Sequence, residues 1–243
     1  MWTRKMLKTR AKEVLKIAYW KLFLVSLIIA FVGGDAGGGG SFNFNWKSGG
    51  QQAPSGGGGD LSLEWLIFIV IGVIGILLIV LAFRILLGYA LEVGGRRYFI
   101  QATQNDFDLN ALGFAFEKPK YLNIIKAMLW RALLNFLWLL LLIIPGIVKY
   151  YAYRMVPYIL ADNPNIGYKR ALELSVQMTK GHKFDIFVLD LSFIGWYLLG
   201  TLALLIGVLF VLPYVNATNA ELYLVLRQNA LDSGLCGYEE LNA

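Results

Sequence analysis

Five polar side chains of this 243-residue chain lie where a polypeptide rarely tolerates them. Arg131, Asn135, Arg154, Asp190 and Glu221 each interrupt a long apolar run. Ionised groups at membrane depth are costly, by about 2.5–3.5 kcal/mol for Arg, Lys or Asp at a helix centre, so they face a bundle interior and take partners. Two chemistries suit such residues: a polar path for an ion or substrate, or ion pairs that hold helices together. Arg131 and Asn135 are four apart, on one face of a helix. Counting at about 1.5 Å per residue from the start of each run, depth and sign match Arg131 with Asp190 and Arg154 with Glu221. A second constellation precedes the fifth run, where Gly181-His182-Lys183 is followed by Asp185. His182 could act as a base oriented by Asp185. The string carries no nucleophile, metal set or phosphate-binding loop with it, and a basic residue there also suits an anchor at headgroup level.

The elements that must position these residues are apolar helices. Hydrophobic residues make up 58% of the chain, above the roughly 45–50% of soluble domains, and the mean hydropathy is +0.59. A bilayer-spanning helix needs about 20 mostly apolar residues. Runs of that kind begin near Val14, Leu63, Tyr121, Gly146, Phe184 and Pro213. The reading is an all-α polytopic membrane bundle of six transmembrane helices with added interfacial amphipathic helices, residues 1–243 forming one membrane domain. His182 is the only histidine and Cys236 the only cysteine, which rules out an internal disulfide and a Cys/His metal set. No catalytic residue, cofactor or metal is assigned.

The formal net charge is +6. Arg84, Arg96, Arg97, Lys118 and Lys120 fall in one gap between runs, and Lys169, Arg170, Lys180 and Lys183 in another. The positive-inside bias then places both termini and the loops 96–120 and 162–183 in the cytoplasm of a plasma-membrane protein. No basic face with interleaved aromatics lies outside the runs, so nucleic acid is not a partner. Residues 1–21 read as a basic amphipathic helix on the anionic inner leaflet; the alternative, a cleaved signal peptide, lacks a good cleavage site. Residues 33–60, dominated by glycine, read as a flexible extracellular loop. Within it Phe42, Phe44 and Trp46 alternate with asparagines, as aromatics resting on the interface or as a strand that captures a partner.

Finer expectations follow from punctuation. The second run continues as a helix through Glu92 until Gly94 and Gly95 loosen it. Pro145-Gly146 makes a tight turn into the fourth run, and residues 165–180 form an amphipathic helix along the inner surface. Gly72 with Gly75, and Ala203 with Gly207, let helices approach closely. Ser192, Gly195 and Trp196 form a packing notch.

Several strings are similar to a known family. Ile144-Pro145-Gly146-Ile147-Val148-Lys149-Tyr150, Pro157-Tyr158-Ile159-Leu160-Ala161-Asp162-Asn163-Pro164, Gly181-His182-Lys183, Leu189-Asp190-Leu191-Ser192-Phe193-Ile194-Gly195-Trp196 and Pro213-Tyr214 resemble an uncharacterised bacterial integral membrane family, domain of unknown function 975. The Pro-Gly turn and the stretch Ser175 to Gly181 also look like the membrane domain attached to some glycerophosphodiester phosphodiesterases, whose catalytic barrel this chain lacks. The resemblance implies a topology and a location, and no catalytic residues. The expected function is non-enzymatic: binding of membrane lipids, another membrane protein or an exported peptide, in envelope homeostasis or export. The alternatives are a small transporter or channel using the buried charges, and a membrane enzyme acting on lipid headgroups through His182 and Asp185. A transporter needs a polar cavity lined by the five candidates. A lipid binder needs a sealed bundle with grooves on its flank.

Overall fold

The computed structural model describes residues 2–33, 63–202 and 206–241, all in helices and their connections, with no strand among them. The stretch 34–60, with Phe42, Phe44 and Trp46, and Ala203 lie outside the described residues.

Helix α1 (Arg4–Ile28) opens at Thr3, whose Oγ1 accepts from the Met6 amide at 3.3 Å. Leu7, Ala11 and Val14, at helical spacing, form its buried stripe. A kink at Ala18 (φ −141°, ψ 41°) separates this amphipathic start from the apolar second half. Helix α2 (Leu63–Phe83) runs through a wider π-helical turn, Arg84–Gly88, into α3 (Tyr89–Thr103). From Ile67 to Thr103 this is 37 helical residues, roughly 55 Å at 1.5 Å each and longer than a hydrocarbon core of about 30 Å. Gly94 and Gly95 do not loosen it. A Cβ at Gly94 would collide with the backbone carbonyl of Leu112, and one at Gly95 would strike the Ile29 side chain. Both are places of close packing inside a continuous helix.

Helix α4 (Lys120–Leu141) is separated from α5 (Ile143–Ala152) by Leu142, whose backbone is extended (φ −159°, ψ 136°). The turn therefore lies before Pro145-Gly146. Pro145 falls in the first turn of α5, where a missing N–H is no loss. Gly146 lets the two helices touch: a Cβ there would stand 2.8 Å from the Leu139 Cα. The fourth apolar run is not one helix. It breaks at Tyr153–Met155 and resumes as α6 (Val156–Asp162), with Pro157 at its start. The remaining helices are α7 (Tyr168–Met178), α8 (Lys183–Leu191), α9 (Ile194–Leu202), α10 (Ile206–Asp232) and α11 (Tyr238–Leu241). Ser192 and Phe193 form the turn between α8 and α9, so the expected notch is a bend, with Trp196 on the outside.

Among the described residues, five helical stretches are long and apolar enough to cross a membrane: Arg4–Val32, Ile67–Thr103, Lys120–Leu141, Lys183–Leu202 and Gly207–Asp232. The expected sixth is the broken pair α5–α6. Around them apolar side chains face outward in a continuous band: Phe68 and Leu78 on α2, Leu133, Phe136 and Leu140 on α4, Ile144 on α5, and Leu198 and Leu202 on α9 are all exposed. An apolar surface of this extent is at home in lipid and not in water. Helix α2 is exposed on every side, and Gly72 and Gly75 have nothing within 4 Å, so the close approach expected of them is not made. The buried core lies elsewhere. There α1 packs along α10, and α3 packs against α1, α6 and α10 around Tyr98, Phe99, Met155 and Tyr223. Helix α7 is not a simple surface helix: Ala171, Leu174, Ser175 and Met178 are buried where it meets α4, α5, α6 and α10.

Candidate functional site

The break between α5 and α6 organises the polar interior. A helix break strands backbone groups, and each must be met inside the protein. Ser175 of α7, fully buried, meets two: its hydroxyl donates to the Ala152 carbonyl at 2.7 Å and accepts from the Met155 amide at 3.2 Å. The turn it staples carries Arg154, whose side chain is 6% exposed. Nη2 of Arg154 donates to Asp190 Oδ1 at 2.8 Å and to Asn219 Oδ1 at 2.9 Å, while Nη1 donates to Asp190 Oδ2. Tyr151 completes the site from α5, its hydroxyl donating to Asp190 Oδ2 at 3.0 Å. The fork geometry, two parallel charge-assisted bonds, is the strongest arrangement a guanidinium and a carboxylate can make.

A second cluster sits on α3, α4 and α10. Arg131 Nη1 is 3.4 Å from Glu92 Oε1, and both side chains are buried. Arg96, four residues after Glu92, donates from Nη1 to Asn216 Oδ1 at 2.8 Å and to the Tyr158 hydroxyl at 3.2 Å. Asn216 in turn donates to Ser26 Oγ at 3.0 Å, tying α1 into the network. A third group lies at the ends of α6 and α10: Tyr223 OH donates to Asp162 at 2.6 Å and Arg227 to the same oxygen at 2.9 Å.

Both expected pairings are therefore corrected. Arg131 pairs with Glu92, not with Asp190. Arg154 pairs with Asp190, not with Glu221. Counting depth along straight spans misplaced them, because the break turns Arg154 toward α8, and α3 carries Glu92 inward beside α4. Glu221 faces Arg10 instead, at 3.8 Å, with the Arg10 side chain half exposed. Asn135 joins none of these clusters. Its Oδ1 is buried with no hydrogen-bond partner, and it lines a groove of about 320 Å³ between α4 and α5, with Phe136, Leu139, Gly146, Ile147 and Tyr151. Of the five candidates the structure thus brings together only Arg154 and Asp190. Ser175, Asn216 and Asn219 escaped notice, although Asn216 and Asn219 stand three apart in an apolar run and so mark a polar helix face. Glu92 and Arg96, at i and i+4, carry the same signal.

His182 Nδ1 lies 3.8 Å from Asp185 Oδ2, beyond hydrogen-bond length. Among the described residues no group of three or more His, Cys, Asp or Glu could hold a metal ion. At the carboxyl end, Arg170 grips Glu240 through Nε and through Nη2 at 3.1 Å, and donates to the Leu235 carbonyl at 2.8 Å. That bond from Arg170 holds the Glu240 carboxyl below the usual carboxylate range, and burial pushes the Cys236 thiol up.

A bundle with an apolar exterior, a broken helix stapled from a neighbour, and charges neutralised pairwise in the interior defines an integral membrane helix bundle. The chain matches the family model DUF975, described as a protein of unknown function, over residues 62–230, and belongs to that family. No curated protein and no solved structure matches it, so the likeness to glycerophosphodiester phosphodiesterases gains no support.

Proposed function

We propose that this protein is a non-enzymatic lipid binder of the plasma membrane, with α5–α6 as a sixth, discontinuous span and both termini in the cytoplasm. A broken helix is tolerated at membrane depth where protein buries it, and the Ser175 staple meets that condition. The cations of the loops support the orientation. One observation carries the reading: the interior charges are consumed by one another, and open space lies on the flank. Arg131, Arg154 and Asp190 meet protein partners and little solvent, which disfavours a conducting path through them. The groove between α4 and α5 opens where exposed Phe136 and Ile147 meet lipid, and Asn135 gives it one polar contact. An acyl chain with its ester linkage suits such a wall. Service in envelope homeostasis or as an accessory to export fits a protein that holds lipid or a membrane partner.

The test is lipid retention. Full-length protein in a mild detergent is analysed by native mass spectrometry, with Ile147→Trp filling the groove. Loss of bound lipid with an unchanged melting temperature supports the reading. Unchanged lipid retention, together with ion flux in proteoliposomes that Asp190→Asn abolishes, would replace it with the transporter.

A further inference from the structure

Two helix starts converge on one cavity at the amino-terminal end of the molecule. Trp2, Thr3 and Arg4 from the start of α1, and His182, Phe184 and Asp185 from the start of α8, wall a space of about 490 Å³. A helix start carries partial positive charge and is stabilised by acidic residues, not basic ones. α1 breaks that rule: its first turn holds Arg4 and Lys5, with no acid. α8 begins at Lys183 after His182, which makes no side-chain capping bond. Local electrostatics are thus unfavourable on both walls unless an anion occupies the space between them. A third fact points the same way. Trp2 is only 9% exposed, yet its indole N–H is buried with no acceptor in the protein. A buried donor without an acceptor costs the full desolvation of that group, so such donors mark missing partners.

We propose that this cavity holds the phosphate of an anionic glycerophospholipid; the inference rests on the lipid-binding reading and names its ligand class. The phosphate lies at the Arg4 side, facing the free amides of the helix start. The Asp185 carboxylate on the opposite wall repels phosphate and accepts from headgroup hydroxyls, which fits a glycerol headgroup. Phe184, 73% exposed beside the cavity, lies where the lipid's glycerol backbone and chains would emerge. A soluble phosphate compound has no use for that apolar rim, and this favours the lipid.

The experiment uses the full chain in a neutral detergent. Native mass spectrometry compares phosphatidylglycerol with phosphatidylcholine, with inorganic phosphate as competitor. Phosphatidylglycerol should be preferred about tenfold. Arg4→Gln should cut that preference at least roughly threefold, as expected of a lost charge contact. Trp2→Phe, which keeps the ring beside His182 and removes only the N–H, should also cut it. Equal binding of the two lipids overturns the site and leaves the lipid-binding reading standing. Binding of neither overturns both. Displacement by millimolar phosphate overturns the assignment to lipid. A preference that survives both variants places the anion elsewhere and overturns this cavity.

Discussion

Replacing Asp190 by asparagine probes the polar interior most sharply. The variant keeps the shape and one acceptor oxygen, but removes the only carboxylate bonded to Arg154. Asn219 and the Tyr151 ring, 5.7 Å away, remain. Breaking a buried pair by removing one partner is destabilising by about 3–5 kcal/mol, because an uncompensated charge stays behind. At roughly 2–4 °C per kcal/mol for a chain of 150–250 residues, the melting temperature in detergent should fall by about 6–20 °C. Removing both charges is different. Arg154→Met with Asp190→Leu leaves no stranded ion and should recover most of the loss, since apolar replacement of a whole buried pair is often neutral or better. Glu221→Gln is the matched control, because its partner Arg10 is half exposed and 3.8 Å away; about 1 kcal/mol or less is expected. Thermal unfolding followed by tryptophan fluorescence reads all three. A mild Asp190→Asn beside a severe Glu221→Gln would refute the network, as would a double variant that loses the sum of the two single losses.

Three further outcomes follow from the same contacts. Gly146→Ala should destabilise the α4–α5 hairpin by about 1–3 kcal/mol, because its Cβ would meet the rigid backbone of Leu139; a melting temperature within a degree of the parent would count against that contact. Ser175→Ala should cost about 1–3 kcal/mol by leaving the Ala152 carbonyl and the Met155 amide unmet, and hydrogen exchange should rise at Met155 before it rises elsewhere. The third concerns pH. The folded-state pKa of Glu240 is depressed by its bond from Arg170, so the stability it contributes is present above the ordinary carboxylate range and lost as pH falls through the depressed value. Exchange protection of α11 should therefore hold at neutral pH and drop in acid, and Glu240→Gln should remove that dependence; acid-insensitive protection in the parent would contradict it.

Much of the architecture was legible because lipid imposes a coarse rule. Long apolar runs must be helices, so α1, α2, α4 and α10 follow from composition alone. Breaks were harder. Proline is visible, yet its effect depends on position: Pro145 sits harmlessly in a first turn, Pro213 lies inside the continuous α10, and Pro157 follows a break. The Ser175 staple, distant in sequence, lets the Tyr153–Met155 break persist, and no local signal announces it. Glycines misled for a similar reason. Gly94 and Gly95 looked like a hinge and are contact points, because a Cβ-less surface serves close packing as readily as bending. The candidate site was half legible. Arg131, Arg154 and Asp190 stood out as charges in apolar sequence, but their partners depend on how helices rotate and where they break. Glu92 and Arg96 sit past a glycine-containing stretch that resembled a loop, which hid them from any count of membrane depth.

The central claim is that lipid surrounds the apolar exterior while the charged interior is sealed. Single cysteines in a Cys236→Ser background test it directly, at Leu78 on α2, at Asn219 in the network and at Lys169 in the basic loop, each exposed in sealed vesicles to a small water-borne thiol reagent. The account predicts no reaction at Leu78 or Asn219 from either side, and ready reaction at Lys169 from the cytoplasmic side alone. Reaction at Asn219 would show water reaching the charges, reaction at Leu78 would show an aqueous exterior, and reaction at Lys169 from outside would reverse the orientation.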